Sequence, residues 1–200
     1  MKIAILGFGN VGRQLAKLFS QAGYDVIVGL RSTSNEPATY YSTTFEEAAS
    51  LANVIVLAIP FLACADVLPA IAHSIDSKIV IDLTNPINPD WSPLLLGEEN
   101  SAAEEISRLL PKANVVKAFN TIFADIMDSP MRQGLAIAAF VAGDSHDAKQ
   151  TVMTAIAKIG YNPIDAGPLW IARYLESMAH LNIQLAIGQE RGTDAAFVYV

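Results

Sequence analysis

The stretch Met1-Lys2-Ile3-Ala4-Ile5-Leu6-Gly7-Phe8-Gly9-Asn10-Val11-Gly12 decides the fold. An apolar run typical of a buried strand ends in a Gly-x-Gly-x-x-Gly turn, and apolar residues at helical spacing follow from Val11 onward. Strand, glycine turn and helix form the context in which this motif predicts dinucleotide binding. Gly7 allows the tight turn, Gly9 leaves the backbone open to a pyrophosphate, and Gly12 lets helix and strand pack closely. The alternative is a tight strand-to-helix turn without a ligand.

The composition limits the classes of protein to which the chain can belong. Its 200 residues suffice for one well-buried domain. Parallel strands buried on both faces explain the 52% of apolar residues. The most apolar window, residues 51–72, is interrupted by two prolines and an aspartate, so we expect no membrane span or membrane partner. The formal net charge of −7 argues against a nucleic-acid partner, and the single Cys64 fits a reducing cytoplasm.

Apolar runs and helical segments alternate along the rest of the chain. Further strands are predicted at residues 25–30, 53–60, 78–87, 114–122, 135–142 and 162–167, with a short one near Tyr40 and Tyr41. Helices are predicted at residues 45–49, 63–74, 102–110, 146–158 and 169–187, with Thr44, Ser101 and Ser145 as N-caps and Glu47 completing a capping box. This order predicts an α/β fold, a Rossmann-type doubly wound, mostly parallel sheet with a short C-terminal strand-helix extension. We expect one cofactor-binding domain over residues 1–200, with a core to about 125 and the extension over about 126–200.

The residue after the second strand distinguishes NADP from NAD. Enzymes that use NAD usually place an acidic residue there to bind the ribose hydroxyls. This chain instead has Arg31-Ser32-Thr33-Ser34, with no acid before Glu36. The guanidinium of Arg31 suits a phosphate, and the Ser32 hydroxyl adds a hydrogen bond. We therefore predict NADP(H), the alternative being a solvated surface arginine.

Small and amide residues follow the strands that are predicted to end at the ligand edge of the sheet. Each of them could orient a cofactor or equally satisfy the backbone of a loop. The predicted cofactor-binding residues are Gly7, Phe8, Gly9, Asn10, Val11, Gly12, Arg31, Ser32, Ile59, Pro60, Asn85, Asn120 and Thr121.

No ordinary catalytic set is apparent in the sequence. The three histidines are far apart, none of them has metal-ligand spacing, and Glu104 and Glu105 are interpreted as solvated residues in the first turn of a helix. We therefore predict no catalytic side chain and no metal. A bound nicotinamide can carry hydride chemistry while the protein binds, orients and excludes water.

The last predicted helix is apolar on nearly all sides, and one sheet cannot cover it. We therefore expect a homodimer in which these helices pack together. The alternative is a single subunit whose loop around Trp91 covers the helix. The apolar residues are Leu169, Ala172, Leu175, Ala179, Leu181, Ile183, Leu185, Ala186 and Ile187.

Several stretches together resemble the family of NADPH-dependent reductases of the deazaflavin coenzyme F420, which includes the reductase domain of six-transmembrane ferric reductases. The resemblance covers nearly the whole chain in order. It is carried by Ile5-Leu6-Gly7-Phe8-Gly9-Asn10-Val11-Gly12, Val28-Gly29-Leu30-Arg31, Leu57-Ala58-Ile59-Pro60, Asp82-Leu83-Thr84-Asn85-Pro86, Val116-Lys117-Ala118-Phe119-Asn120-Thr121, Val141-Ala142-Gly143-Asp144, and Asp165-Ala166-Gly167-Pro168-Leu169 with Ala172-Arg173-Tyr174-Leu175-Glu176.

This resemblance implies NADPH at the glycine turn and Arg31 at its 2′-phosphate. It also implies a flavin-like ring stacked on the nicotinamide near Asn120 and Thr121. The family's deazaflavin enzymes tend to carry a His-Thr segment where this chain has Phe119-Asn120-Thr121, so either deazaflavin F420 or a flavin remains open as the acceptor.

The expected function is hydride transfer between NADP(H) and a flavin-like or deazaflavin small-molecule acceptor. One alternative is a redox sensor that binds NADP(H) without turnover. Another is a reductase of small imines or carbonyls, but those enzymes usually need a large helical second domain, and only residues 168–200 follow the last predicted strand.

Overall fold

A computed structural model describes residues 1–32, 39–97 and 99–200 of the protein. Eight strands form one sheet and two short strands form a separate hairpin. The strands of the sheet are β1 (Lys2–Leu6), β2 (Asp25–Leu30), β3 (Tyr41–Thr44), β4 (Val54–Leu57), β5 (Ile79–Asp82), β6 (Asn114–Lys117), β9 (Ala138–Gly143) and β10 (Asn162–Gly167), and the hairpin is β7 (Met131–Arg132) with β8 (Leu135–Ala136). The α-helices are α1 (Asn10–Gln21), α2 (Phe45–Leu51), α3 (Phe61–Ile75), α4 (Ala102–Leu109), α5 (His146–Lys158) and α6 (Ala172–Ile183).

The strand order places a ligand crevice at the middle of the sheet. The order is β10-β9-β6-β5-β4-β1-β2-β3, and every neighbouring pair is parallel except β6 with β9. The chain direction across the sheet reverses between β1 and β4, which is where dinucleotides bind in doubly wound folds. The predicted Rossmann-type, mostly parallel α/β fold is thereby confirmed, whereas the division near residue 125 stays a prediction.

Both faces of the sheet are covered. In β1, Ile3 and Ile5 pack in one apolar cluster with Phe19 of α1, whereas Ala4 and Leu6 belong to the cluster on the other face. All four of these β1 residues are fully buried, as expected for a central parallel strand. Helices α1 and α5 therefore cover one face, and α2, α3 and α4 cover the other.

The central strands are shorter than predicted. The paired registers end together at Leu57, Asp82 and Lys117, and beyond that level the chain turns away from the sheet. The apolar runs continue past this point, so the strand ends predicted at residues 60 and 122 were wrong. The segment 78–87, predicted as a strand with its exit, leaves the sheet after Asp82. Asn85 and Asn120 consequently lie in the loops after β5 and β6, and Pro60 is the N-cap of α3.

The last predicted helix is not one continuous α-helix. It consists of a 3₁₀ turn at Leu169–Ile171, helix α6 and a π turn at Gln184–Gly188. The predicted N-caps are confirmed, since the side chains of Thr44, Ser101 and Ser145 each accept a backbone hydrogen bond. The second half of the predicted capping box was wrong. The Glu47 carboxylate accepts hydrogen bonds from the Tyr41 and Thr43 hydroxyls instead.

The C-terminal segment, residues 189–200, packs back against earlier parts of the chain. The Thr193 hydroxyl donates to the Asp125 carboxylate at 2.6 Å, and Arg132 pairs with Asp194 at 3.0 Å. The backbone N–H of Ala138 donates to the carbonyl of Phe197 at 2.9 Å. The segment is thus tied to the loop after β6, to the hairpin and to β9. Within the described ranges, no helix has the length and apolar content needed to cross a bilayer.

Candidate cofactor and acceptor site

Two glycines bring β1, β4 and α1 into direct contact. Gly7 has φ of +100°, a backbone conformation that side-chain-bearing residues rarely adopt, and a Cβ there would overlap the carbonyl oxygen of Ala58. A Cβ at Gly12 would overlap the carbonyl oxygen of Gly7. The turn and the adjoining helix therefore pack at a separation that only glycine permits.

The middle glycine of the turn leaves an open space. Apart from its two chain neighbours, no described residue has an atom within 4 Å of the position that a Cβ would take at Gly9. Gly9 is the N-cap of α1 and has no side chain to cap the helix. The first amides of a helix have no partner within the helix, and they carry its positive dipole end. Bare backbone, free amides and empty space together fit the pyrophosphate of a dinucleotide.

Arg13 is a residue of this turn that the sequence analysis did not select. Its Nε donates to the carbonyl of Phe8 at 3.0 Å, and its exposed guanidinium lies 5.7 Å from the centre of the Phe8 ring. A cation in the first turns of a helix opposes the helix dipole. This unfavourable position was the feature of the sequence that could have indicated that Arg13 contacts the glycine turn.

Arg31 lies at the carboxyl end of β2, at the expected side of the sheet. It is exposed, and it makes no hydrogen bond or ion pair with the residues that the structure describes. Ser32 follows it in the described range, while Thr33, Ser34 and Glu36 lie outside the described residues. The guanidinium is therefore available to an anionic ligand.

The two predicted asparagines hold each other. Asn85 Nδ2 donates to the carbonyl of Asn120 at 2.8 Å, and Asn120 Nδ2 donates to Asn85 Oδ1 at 2.9 Å. Asn120 Nδ2 also donates to the carbonyl of Leu175 in α6 at 3.0 Å. Phe119, just before Asn120, has φ of +63°, so the backbone turns sharply after β6. This pair joins the exits of β5 and β6 to α6.

A cavity of about 390 Å³ lies beside this asparagine pair. It falls within the usual size range of ligand pockets, about 300–1,000 Å³. Predicted site residues from α1 and from the strand exits meet in its wall: Asn10, Val11, Asn85, Asn120 and Thr121. Further lining residues come from the chain after Thr121, from α6 and from the C-terminal segment. We call it the inner cavity.

A second cavity, of about 470 Å³, adjoins the first. Ile59 and Pro60 line it, and it shares with the inner cavity the residues Leu83, Asn85, Ile87 and Trp91. We call it the outer cavity. The structure thus gathers seven of the thirteen predicted site residues around two adjoining cavities. The other six, Gly7, Phe8, Gly9, Gly12, Arg31 and Ser32, lie along the same edge outside both cavities.

A fully buried ion cluster lies beneath the asparagine pair. Lys117 Nζ donates to Asp82 Oδ2 at 2.9 Å, to Glu176 Oε1 at 2.8 Å, and to the carbonyl of Thr84. Both carboxylates have further donors, since Asp82 accepts from the Thr84 amide at 2.8 Å and Glu176 accepts from the first amides of α4. Every strong acceptor is therefore satisfied, as burial of charge requires.

The electrostatics of the ion cluster keep the lysine charged. Burial alone would lower the pKa of Lys117, but Asp82 and Glu176 outweigh it and raise that pKa above its ordinary value. The sequence analysis missed this cluster. Asp82 and Lys117 occupy paired positions on adjacent strands, and a charged residue at the same level of two apolar runs was the signal.

The prediction that Glu104 is a solvated residue was wrong. It is not a solvated helix-start residue, because Arg173 of α6 donates to both of its carboxylate oxygens at 2.8 and 2.9 Å. The bond from Arg173 is the main cause that holds the pKa of Glu104 below its usual range, and the Ser101 hydroxyl adds to the effect. Its neighbour Glu105 is likewise engaged, with Arg108 at 2.7 Å. Helix α6 is therefore anchored to α4 through Arg173 as well as through Glu176 of the ion cluster.

Cys64 has no nucleophilic character here. It lies buried on α3, and this burial is the main cause that raises the pKa of its thiol to about 12. The negative charge of Asp82 adds to the increase, and the positive charge of Lys117 opposes it. A thiol with such a pKa carries almost no thiolate at neutral pH.

Comparison with known proteins agrees with this geometry. Residues 2–86 match the family described as NADP oxidoreductase, coenzyme F420-dependent. The F420-dependent NADP reductase of Methanothermobacter thermautotrophicus is 31% identical over 209 residues, which cover 94% of this chain and 90% of that protein. The chain belongs to the F420-dependent NADP oxidoreductase family. Its family makes it an NADP-dependent oxidoreductase.

Two further relatives extend the comparison. Metalloreductase STEAP3 of Rattus norvegicus is 34% identical over 181 residues, which cover 88% of this chain and 36% of that protein. The chain thus spans about a third of that metalloreductase's length. The crystal structure of a putative F420-dependent NADP reductase from Arthrobacter sp. FB24 superposes with a TM-score of 0.90 at 29% identity, covering 100% of this chain and 99% of that one.

Proposed function

We propose that this F420-dependent NADP oxidoreductase family member transfers hydride between NADP(H) and a flavin-like or deazaflavin ring. The observation that carries the proposal is the inner cavity, whose wall joins the start of α1 to Asn85, Asn120 and Thr121. A dinucleotide that begins at the glycine turn and follows the sheet edge would reach this wall, and the two adjoining cavities offer space for a second ring.

We assign the cofactor contacts along the carboxyl edge of the sheet. The backbone of residues 7–12 binds the pyrophosphate, with Phe8 and Arg13 closing the turn. Arg31 and Ser32 bind the 2′-phosphate of the adenosine ribose. Ile59 and Pro60 border the outer cavity, where they limit the position of the nicotinamide.

Bound NADPH supplies the hydride, and the protein supplies position and a dry environment. The mutual hydrogen bonds of Asn85 and Asn120 hold the strand exits at a fixed separation. Apolar side chains such as Phe119 and Ile183 keep water from the inner cavity. Holding two rings face to face is worth several kcal/mol of the barrier without a side-chain nucleophile, of the order of 7–11 kcal/mol at best.

One panel of substrates tests the proposed function. NADPH oxidation is followed with coenzyme F420, riboflavin, FMN, FAD, a ferric chelate and a cyclic imine, and NADPH binding is titrated separately. Turnover with a deazaflavin or flavin is the expected result. Tight NADPH binding without turnover of any acceptor would instead favour a redox sensor, and turnover of the imine alone would favour an imine reductase.

We further propose a cytoplasmic homodimer acting on small molecules, without a nucleic-acid or membrane partner. The net charge of −7 and the single, buried cysteine support the setting. The outer side of α6 and its π turn supports the dimer. Leu181 and Leu185 are 55% and 39% exposed and line neither cavity, so the loop around Trp91 does not cover them within this chain.

A further inference from the structure

The two cavities are lined without positive charge. Among the described residues, neither the inner nor the outer cavity has a lysine or arginine in its wall. Of the described residues in either wall, only Asp125, in the inner cavity, is ionisable. A site that receives a phosphate-bearing ligand normally offers a cation or free helix amides to that phosphate. The free amides at the start of α1, beside the inner cavity, are assigned to the pyrophosphate of the dinucleotide, which leaves none for a phosphate of the acceptor.

Asp125 places a negative charge at the mouth of the inner cavity. The residue is exposed, and its Oδ2 accepts from the Thr193 hydroxyl, which leaves the carboxylate unneutralised. Among the described residues no cation forms an ion pair with Asp125, whereas Arg132 pairs with Asp194 and Lys17 pairs with Asp128 at 3.1 Å. The chain as a whole carries −7, which adds long-range repulsion of anions.

The wall does offer partners for an uncharged ring. Asn120 is 7% exposed, and its Oδ1 has no hydrogen-bond partner among the described residues. A buried acceptor without a partner is costly, and a ligand N–H would satisfy it. The apolar part of the wall includes Phe119, Ile122 and Phe123, which suit the faces of a flat ring.

We propose that the acceptor of this protein is an uncharged flat ring of the isoalloxazine type, without a phosphate group. The inference rests on the proposed function and names its substrate class. In the reaction, hydride passes from NADPH to N5 of the ring and a proton from water goes to N1. The products are NADP⁺ and the dihydro form of the ring, so electrons and protons balance.

Riboflavin and FMN test the proposal, because they carry the same ring and differ by one phosphate. Binding of each to the protein with NADP⁺ is measured by quenching of flavin fluorescence, and kcat/KM is measured with NADPH. We expect riboflavin to bind at least about tenfold tighter than FMN at low salt, where tenfold corresponds to ~1.4 kcal/mol. The difference should shrink as salt screens the exposed charge.

A charge variant links the preference to Asp125. We expect Asp125→Asn, which keeps an acceptor for Thr193, to lower the riboflavin-to-FMN ratio of affinities about threefold or more. Asp147→Asn is the matched control. Asp147 is the second residue of α5. Because β9 runs antiparallel to β6, the start of α5 after β9 lies at the opposite edge of the sheet from the two cavities. This control should leave the ratio unchanged.

The outcomes separate the inference from the proposed function. FMN binding as tightly as riboflavin, or no binding of riboflavin, would overturn the uncharged acceptor. Turnover with FMN or F420 but not riboflavin would overturn it too, while the proposed function stands. Binding of riboflavin without NADPH consumption by any acceptor would overturn both proposals, because a bound ring that takes no hydride is not an acceptor.

Discussion

Arg31 is the residue on which the choice of cofactor depends. Replacing it with alanine should weaken NADPH binding about tenfold or more, because a charge-assisted hydrogen bond contributes about 1.5–3 kcal/mol. NADH binding should hardly change, since NADH has no 2′-phosphate. Fluorescence titration of the two reduced cofactors measures both effects.

Arg13→Ala provides the contrast. Arg13 borders the turn assigned to the pyrophosphate, which both cofactors share, so its loss should weaken NADPH and NADH alike. If Arg31→Ala weakens the binding of NADPH and NADH equally, the assignment of Arg31 to the 2′-phosphate is wrong.

The residue-level predictions from sequence succeeded where a local pattern carries the information. The glycine turn and the N-caps are encoded within a few residues, and each is found where it was predicted. Arg13 and the ion cluster were missed because their partners lie elsewhere in the chain or in the backbone. From the sequence alone, Lys117 is a polar residue at the end of a strand. Its contact with Glu176, 59 residues away, is visible only in the structure.

At the level of elements, we expect the ion cluster to contribute strongly to the stability of the unit formed by β5, β6, α4 and α6. Lys117→Met leaves Asp82 and Glu176 buried without their cation, and removal of one partner from a buried pair costs about 3–5 kcal/mol. Lys112→Met is the matched control. Lys112 pairs with Asp76 on the surface, where both side chains are largely exposed, and such pairs contribute about 0–1 kcal/mol. Denaturant unfolding of both variants measures the difference, and similar losses would contradict this account.

The ion pair between Glu104 of α4 and Arg173 of α6 should make the free energy of unfolding depend on pH in the acidic range. Because the pKa of Glu104 is lowered in the folded state, its stabilising effect is present above the ordinary value of 4.5. It is lost as pH falls through the lower, folded value. The difference in unfolding free energy between the wild type and Glu104→Gln should therefore be largest near neutral pH and shrink below about pH 4.5. A difference that stays constant down to pH 3 would mean that the Arg173 bond does not act through charge.

The elements were predictable in kind and order, and less so in their limits. Continuous apolar runs identify central strands, but each strand ends where its neighbours end, as at Leu57, Asp82 and Lys117. That level is a property of the assembled sheet. The pairing of β9 antiparallel to β6 was equally invisible, since an apolar strand has the same pattern in either direction.

The whole molecule presents an apolar surface that predicts self-association. Light scattering at micromolar concentration should give a mass near twice the 21.4 kDa of one chain. Leu181→Glu, on the exposed side of α6, should shift the mass toward one chain without loss of secondary structure. A mass near 21.4 kDa across dilution, with NADPH present, would rule out the dimer.

The buried ion cluster also has a consequence for the order in which the protein folds. Glu176 meets Lys117 and the start of α4 across 59 and 74 residues of chain, so closing these loops costs much entropy before any gain. Until β5, β6, α4 and α6 converge, its charges remain hydrated. We expect the cluster to form after the folding transition state, so that its disruption speeds unfolding and leaves refolding almost unchanged. We therefore expect β1, the glycine turn and α1 to fold before the inner cavity is complete.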